Sequence, residues 1–297
     1  MKRIIQVVIV AFLFVAFGCK NEAEEETADD ILPKDNSQNW NISILLDLSD
    51  RISIEKHPNP TMEYYLRDVG YINSVYDAFS QHVKGKKIIQ MDDRMQLFFD
   101  PPPLNPEINL ISKSLKVELN KANVSNTLLE DIESKYKSEP LKLYQLAIKD
   151  NNYIGSDTWT FFKNRIDDYC IDDNYRNILV ILTDGYIYYE NSMMRDHNMS
   201  SFLTPKEIRK SNLNTADWMR KFKEGNYGFL KANEDLSNLE VLVLGVNPNP
   251  GNPYEEDVIK AYWTKWLDEM NVKRYEVRST DLPANIDLVI KNFIVGK

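Results

Sequence analysis

Three short, mostly apolar runs stand out along the chain, at residues 42–46, 177–183 and 239–246. Polar residues bound each run, a pattern that predicts strands buried in a parallel sheet. Residues 273–277 form a fourth, more polar run that we also predict as a strand.

Apolar residues recur at helical spacing between these runs, which predicts amphipathic helices. The clearest helix covers residues 62–83, and we place His82 on its surface. Further helices are expected at residues 159–170, 257–270 and 282–294, and two more lie within 107–151, the second beginning at Pro140.

Two strands, at residues 87–91 and 95–99, are predicted to form an antiparallel hairpin. The polar link Asp92-Asp93-Arg94 between them suits a tight turn.

The order of these elements predicts an α/β fold. Alternating strands and helices imply a doubly wound, mostly parallel sheet with helices on both faces, and the hairpin adds one antiparallel edge strand. Residues 186–235 are less regular and indicate an insertion, within which we predict one helix from Pro205 and another around Trp218. An insertion of this length in a compact domain is more often functional than not.

The N-terminus has the features of a signal peptide. A charged start precedes the apolar residues 4–17, a run too short to span a membrane. Residues 16–19 (AFGC) resemble the lipobox of bacterial lipoproteins, which implies cleavage before Cys19 and acylation of its thiol. An ordinary secretory signal with a chance cysteine is the alternative. The chain thus divides into a signal peptide (1–18), a tether (19–38) and a domain (39–297).

The tether is acidic and nearly free of aromatic residues, which predicts disorder. An acidic run after the lipidated cysteine also resembles the export signal of some bacterial surface lipoproteins. We therefore expect a lipid-anchored protein of the cell envelope, on the outer membrane or facing the periplasm, or exposed at the cell surface.

Net charge and cysteine content exclude several classes of function. The chain has 36 basic and 45 acidic residues, and removal of Lys2 and Arg3 with the signal peptide changes the net charge from −9 to −11. Such an acidic protein is a poor candidate for binding nucleic acid. With Cys19 acylated, Cys170 stands alone, which excludes a disulfide scaffold and a cysteine-rich metal site.

Oxygen-bearing side chains gather where ligands bind in such sheets, beyond the carboxyl ends of the strands. They lie in three loops: Asp47 and Ser49, then Ser156, Asp157 and Thr158, and finally Asp184. Carboxylates from separate strands repel each other unless a cation lies between them. Because divalent cations of the magnesium type prefer oxygen ligands, we expect a Mg²⁺ or Mn²⁺ site.

At these residues the chain resembles the von Willebrand factor A family, which has this doubly wound fold. The metal-ion-dependent adhesion site of that family combines a D-x-S-x-S loop, a threonine from a second loop, and an aspartate commonly found in T-D-G. Asp47-Leu48-Ser49 matches the first motif and Thr183-Asp184-Gly185 the last.

The resemblance implies a metal ligand set and a type of partner. The metal would be held by Asp47, Ser49, Ser156 and Asp184, with Thr158 as the alternative to Ser156. An acidic side chain from a cell-envelope protein would complete the coordination.

Arg51 departs from the family pattern, which has serine at this position. The Arg51 side chain either points away from a weakened metal site or pairs with Asp47 or Asp184 and replaces the cation, because arginine makes fork-shaped contacts with carboxylates. As a further alternative, the two aspartates only cap the helices that follow them.

These features favour a binding module over an enzyme. The insertion after Asp184 is expected to border the site and to offer aromatic and methionine side chains to a partner. A metal-dependent hydrolase or phosphotransferase is the rival, although the chain lacks a glycine-rich phosphate loop, GxSxG and HExxH. A metal-free scaffold with a degenerate site is the third possibility.

Overall fold

A computed structural model describes residues 37–153 and 155–296. The predicted signal peptide, the lipidation site at Cys19 and almost all of the tether lie outside these residues. The strands are β1 (Trp40–Leu46), β2 (Asp92–Phe98), β3 (Val117–Asn120), β4 (Arg176–Leu182), β5 (Arg195–Asp196), β6 (Met199–Ser200), β7 (Gly228–Phe229), β8 (Leu239–Val246) and β9 (Arg274–Ser279). The helices are α1 (Tyr64–Gly85), α2 (Pro106–Ser114), α3 (Asn126–Asp150), α4 (Thr158–Asn164), α5 (Ile166–Cys170), α6 (Pro205–Lys210), α7 (Trp218–Glu224), α8 (Glu255–Glu269) and α9 (Pro283–Val295).

The main sheet has six strands in the order β3-β2-β1-β4-β8-β9. Only β3 runs antiparallel, at one edge, and the other pairings are parallel. This is the doubly wound order, in which the chain turns to opposite edges after the two central strands. The predicted fold class is therefore confirmed, and the switch point falls between β1 and β4.

Helices cover both faces of this sheet because successive side chains of a strand point to opposite sides. Ile44 belongs to a core cluster that includes residues of α1, α3 and α9, whereas its neighbour Leu45 belongs to a second cluster that includes residues of α4, α5 and α8. The three apolar runs correspond to β1, β4 and β8, and these strands are buried along their whole length.

The predicted hairpin at residues 87–99 is wrong. Residues 88–90 form an exposed 3₁₀ turn, and β2 lies parallel to β1. The antiparallel neighbour of β2 is β3, from a region predicted to be helical. Asp93 is a buried strand residue rather than a turn residue: its carboxylate lies 2.7 Å from Lys86 Nζ and 3.0 Å from His82 Nε2. These two partners allow a carboxylate to be buried in the sheet.

Two helix predictions also need correction. His82 is buried instead of lying on the surface of α1, and its ring stacks on Trp40 with centroids 3.7 Å apart. Burial lowers the pKa of His82, although Asp93 acts in the opposite direction. Pro140 lies inside the single helix α3 rather than starting a second helix, and its side chain is buried against the core.

The insertion forms a small three-stranded sheet, β5-β6-β7, flanked by α6 and α7. Phe229 and Phe222 pack edge-on against Tyr262 of α8, so the insertion is integrated with the domain core. Among the residues that the structure describes, no helix has both the length and the apolar character needed to cross a membrane.

Candidate functional site

The candidate site lies at the carboxyl ends of the two central strands. Asp47 follows β1, and Thr183 and Asp184 follow β4. The backbone continues the pairing beyond the strands, because the Asp47 amide donates to the Leu182 carbonyl at 3.0 Å. The topology therefore brings two of the sequence motifs together at the switch point.

Asp47 is buried, and both of its carboxylate oxygens accept hydrogen bonds. Oδ1 accepts from the Ser49 amide at 2.9 Å, and Oδ2 accepts from the Thr183 hydroxyl at 3.0 Å. Ser49 thus contacts Asp47 through its backbone, and the Thr183 hydroxyl also accepts from the Gly185 amide at 3.2 Å. The two motifs are joined directly through Asp47 and Thr183.

Arg51 points into the site. It belongs to a 3₁₀ turn, Asp50–Ile52, and its side chain is only 6% exposed. Nε donates to the Asp47 carbonyl at 3.1 Å and lies 3.7 Å from Asp47 Oδ2, while Nη2 donates to the Leu182 carbonyl at 3.0 Å. The guanidinium is therefore held between the ends of β1 and β4.

The strongest partner of Arg51 is Asp68 on α1, which is not among the predicted site residues. Arg51 Nη2 donates to Asp68 Oδ2 at 2.6 Å, and the Tyr144 hydroxyl donates to the same oxygen at 2.8 Å. The sequence contains one indication of this role. Asp68 is an acidic residue on the apolar face of the helix, because it lies three and four positions before Tyr71 and Ile72. Nothing in the local sequence marks Tyr144 on the distant α3.

The site concentrates charge in a dry environment. Burial disfavours the guanidinium cation, but Asp68 and Asp47 outweigh this and raise the pKa of Arg51 above its usual value. Burial raises the pKa of Asp68, and Arg51 and the Tyr144 hydroxyl offset only part of this rise. Burial and the nearby Asp47 raise the pKa of Asp184 to about 7.

Asp184 is the partly exposed carboxyl of the group. Its Oδ1 accepts from the Tyr186 amide at 3.1 Å, and its backbone carbonyl accepts from the Asn247 amide. The chain turns at Gly185 with φ of 94°, a left-handed conformation, and an added Cβ would lie 2.6 Å from Ile259. Glycine is therefore required after Asp184.

The loop with Ser156, Asp157 and Thr158, which we call the middle loop, makes its contacts outside the group around Arg51. The Ser156 and Thr158 hydroxyls lie 3.0 Å apart and bond to each other, and Asp157 caps α4 by accepting from the Thr160 amide at 3.2 Å. Within the described residues, no hydrogen bond or ion pair joins these three side chains to Asp47, Arg51 or Asp184. Ser192 of the insertion donates to Asp157 at 2.7 Å, so the insertion borders the middle loop.

An open cleft of about 360 Å³ lies beside the site, between the β1, β4 and β8 loops. Arg51, Asp184, Tyr64 and Tyr186 line this cleft. The Tyr186 hydroxyl donates to Glu255, which fixes that ring in place. Its remaining lining residues are Lys56, His57, Pro58, Pro205, Gly245, Asn247, Pro248, Asn249 and Pro250.

The residues around Arg51 fit a divalent cation poorly. Arg51 Nε lies 3.7 Å from Asp47 Oδ2, so a divalent cation held by this carboxylate would face the buried guanidinium at short range. The Arg51 side chain therefore does not point away from the site but lies beside the Asp47 carboxylate.

Comparison with known proteins adds only distant likenesses. The chain matches no family model and no curated protein. Among solved structures it resembles an aerotolerance-related membrane protein from Bacteroides fragilis, with 11% identity and a TM-score of 0.36, over 87% of this chain and 100% of that one.

A pilus adhesin, SpaC from Lactobacillus rhamnosus GG, is 9% identical with a TM-score of 0.38, over 89% of this chain. Proximal thread matrix protein 1 from the mussel byssus is 10% identical with a TM-score of 0.37, over 88% of this chain. The match spans 31% of the adhesin and 46% of the byssus protein. Similarity at these levels assigns neither a family nor a function.

Proposed function

We propose that the domain is a protein-binding module whose site works without a divalent cation. The observation that carries this proposal is the buried Arg51, whose guanidinium lies among Asp47, Asp68 and the Leu182 carbonyl. A fixed cation of this kind reduces the repulsion between the carboxylates. The carboxyl ends of β1 and β4 then form a permanently assembled surface.

The charge of this site favours a basic ligand group. One guanidinium faces two buried carboxylates, so the charge is already negative before Asp184 is counted. Lys56 at the rim is paired with Asp50 at 2.9 Å. The acidic ligand expected from the family resemblance depends on a metal ion, whereas a lysine or arginine of the partner would meet Asp184 directly.

The walls of the cleft suit a protein segment. Tyr64, Tyr186 and four prolines line the same cleft as Asp184, and rigid aromatic rings provide contact area at low entropic cost. Next to the middle loop, the insertion exposes Tyr188, Met193 and Met194 by 41 to 48%. These side chains would extend the contact surface beyond the cleft.

The test is a cross-linking pull-down from solubilised cell envelope, using the mature chain. We expect the same partner to be captured in Mg²⁺ and in EDTA, and to be lost in Asp184→Asn. Asp173→Asn is the matched control, because Asp173 is exposed at the opposite end of the sheet. Capture that requires Mg²⁺ would favour the metal set Asp47, Ser49, Ser156 and Asp184. Turnover of phosphoesters or peptides that is abolished by Asp184→Ala would favour the enzyme.

We also propose that the mature chain is attached to the cell envelope by a lipid on Cys19. The support is the AFGC sequence after an apolar segment of signal-peptide length. Growth with a clickable palmitate analogue should label the wild-type protein but not Cys19→Ser. Equal labelling of the two would contradict this attachment.

A further inference from the structure

Two neighbouring isoleucines are strongly exposed at the end of the sheet opposite the candidate site. Ile88 is 61% and Ile89 is 77% exposed, in the 3₁₀ turn Ile88–Gln90, which has no buried residue. The turn is fixed on both sides, because Lys86 bonds to Asp93 in the interior and Met91 packs in the core. The structure therefore holds these two side chains outward.

The same turn lies beside the point where the N-terminal segment enters the domain. Lys86 Nζ donates to the Asn39 side chain at 2.7 Å and to the Gln38 carbonyl at 3.4 Å. The residues that precede the domain, including Cys19, therefore join it next to the exposed isoleucines. A lipid on Cys19 would bring this end of the domain near a bilayer.

The charges around the turn also suit a bilayer surface. Lys84 and Lys87 flank it and are exposed, with Lys84 lying 3.5 Å from Glu133, and Asp92 is the exposed acid that follows the turn. Exposed aliphatic side chains flanked by lysines match the interface of a membrane, where apolar groups enter the acyl region and ammonium groups meet lipid phosphates.

We propose that the Ile88–Gln90 turn contacts the bilayer to which the chain is attached, and thereby orients the domain. Two isoleucines alone bind a membrane weakly, so this inference rests on the proposed lipid attachment, which supplies a high local concentration. The candidate site then faces away from the membrane, since the seven residues of β1 separate the two ends by about 23 Å.

The experiment uses tryptophan fluorescence on vesicles. All five native tryptophans are buried, so a new tryptophan in place of Ile89 is the exposed reporter. The chain from Cys19 onward is coupled through that cysteine to maleimide lipids, while Cys170 is buried and protected. Vesicles of phosphatidylethanolamine and phosphatidylglycerol carry brominated acyl chains that quench nearby tryptophan. Chemical coupling keeps this test independent of natural acylation.

Leu104→Trp is the matched control, because Leu104 is 79% exposed but follows β2 at the site end. We expect loss of reporter fluorescence with Ile89→Trp and none with Leu104→Trp, and an additional Ile88→Ser should reduce the quenching. Equal quenching at both positions, or none at position 89, would overturn the proposal. Sedimentation that shows an Ile88-dependent dimer of the uncoupled chain, without quenching, would assign the turn to a second copy instead.

Discussion

Arg51 Nη2 lies 2.6 Å from Asp68 Oδ2, and both side chains are almost fully buried. Arg51 belongs to the loop after β1, whereas Asp68 lies on α1, and the same guanidinium nitrogen also reaches the Leu182 carbonyl at the end of β4. A single side chain therefore ties three elements together at the switch point of the sheet.

Replacement of Arg51 by methionine should destabilise the domain strongly. The change leaves Asp47 and Asp68 without their cation in a dry environment, and removal of one partner of a buried pair costs about 3 to 5 kcal/mol. Urea denaturation followed by circular dichroism measures the free energy of unfolding.

Arg220→Met is the control for this change, because the Arg220 ion pairs with Asp217 and Glu224 lie on the surface. We expect no measurable change there, since solvent screens such pairs. If Arg51→Met also left the unfolding free energy unchanged, Arg51 would not be the stabilising cation of the site.

Replacement of Arg51 by serine should create a dependence on divalent cations that the wild type lacks. Serine at this position restores the D-x-S-x-S pattern and removes the competing guanidinium, so Asp47 becomes available to a metal. Thermal unfolding of the variant should shift upward with Mg²⁺ or Mn²⁺, because a ligand that binds only the native state stabilises it.

The wild type should show no such shift and no heat of binding in calorimetric titration. An equal shift in both proteins would mean that Asp47, Ser49, Ser156 and Asp184 bind a metal with Arg51 present. Ca²⁺ is a useful comparison, since its larger radius and higher coordination number separate a specific site from general screening.

Elements that depend on neighbouring residues could be predicted from the sequence, whereas those that depend on distant partners could not. The strands β1, β4 and β8 were predictable because a strand that is buried on both faces has apolar residues at consecutive positions. These strands also predicted where Asp47 and Asp184 lie, because both residues follow a strand and ligands bind at the carboxyl ends of strands in such sheets.

Features decided by partners distant in sequence escaped prediction. The strand β2 contains Asp92 and Asp93, which read as a turn until Lys86, His82 and the neighbouring strand β1 are present. Asp68 became a site residue only through Arg51 and Tyr144, 17 and 76 positions away. A charged residue on the apolar face of a predicted helix indicates a buried ion pair of this kind, because a buried charge needs a partner.

Lys86 and Lys87 should respond very differently to replacement by methionine. Lys86 Nζ is buried and bonds to Asp93 at 2.7 Å, whereas the Lys87 side chain is exposed. Lys86→Met leaves the Asp93 carboxylate with only His82 and the Trp40 amide, and we expect a loss of about 3 to 5 kcal/mol. Lys87→Met should leave the unfolding free energy unchanged.

Denaturant unfolding of the two variants, side by side, checks this difference. In Lys86→Met the pKa of His82 should also rise, because the opposing charge of Lys86 is removed while Asp93 remains. Titration of the His82 ring by NMR provides this second readout. Equal stability of the two lysine variants would show that the Asp93 pair does not stabilise β2.

Asp100 should make the domain less stable as the pH rises. Its side chain is 6% exposed, Oδ1 accepts from Arg165 at 3.2 Å, and Oδ2 is buried with no hydrogen-bond partner among the described residues. Burial raises the pKa of Asp100 from 3.8 to about 6, and Arg165 offsets only part of this. The carboxylate is thus disfavoured in the native state.

The sign of the pH dependence follows from this raised pKa. Below pH 3.8 the carboxyl is protonated in both states and contributes nothing, and between pH 3.8 and about 6 only the native state retains the proton. The unfolding free energy should therefore fall across this window and level off above it, by about 1 to 3 kcal/mol. Asp100→Asn removes this contribution because the amide does not ionise.

Urea denaturation across this pH range, on the wild type and Asp100→Asn, measures the difference. The free energies of the two proteins should differ progressively more in favour of the variant as the pH rises, after correction for a constant offset caused by the amide. Asp173→Asn serves as the control, because Asp173 is exposed and should leave the pH profile of the wild type unchanged. Parallel profiles for wild type and Asp100→Asn would place the titration in another group, with Asp184 as the next to replace, since burial and Asp47 raise its pKa to about 7.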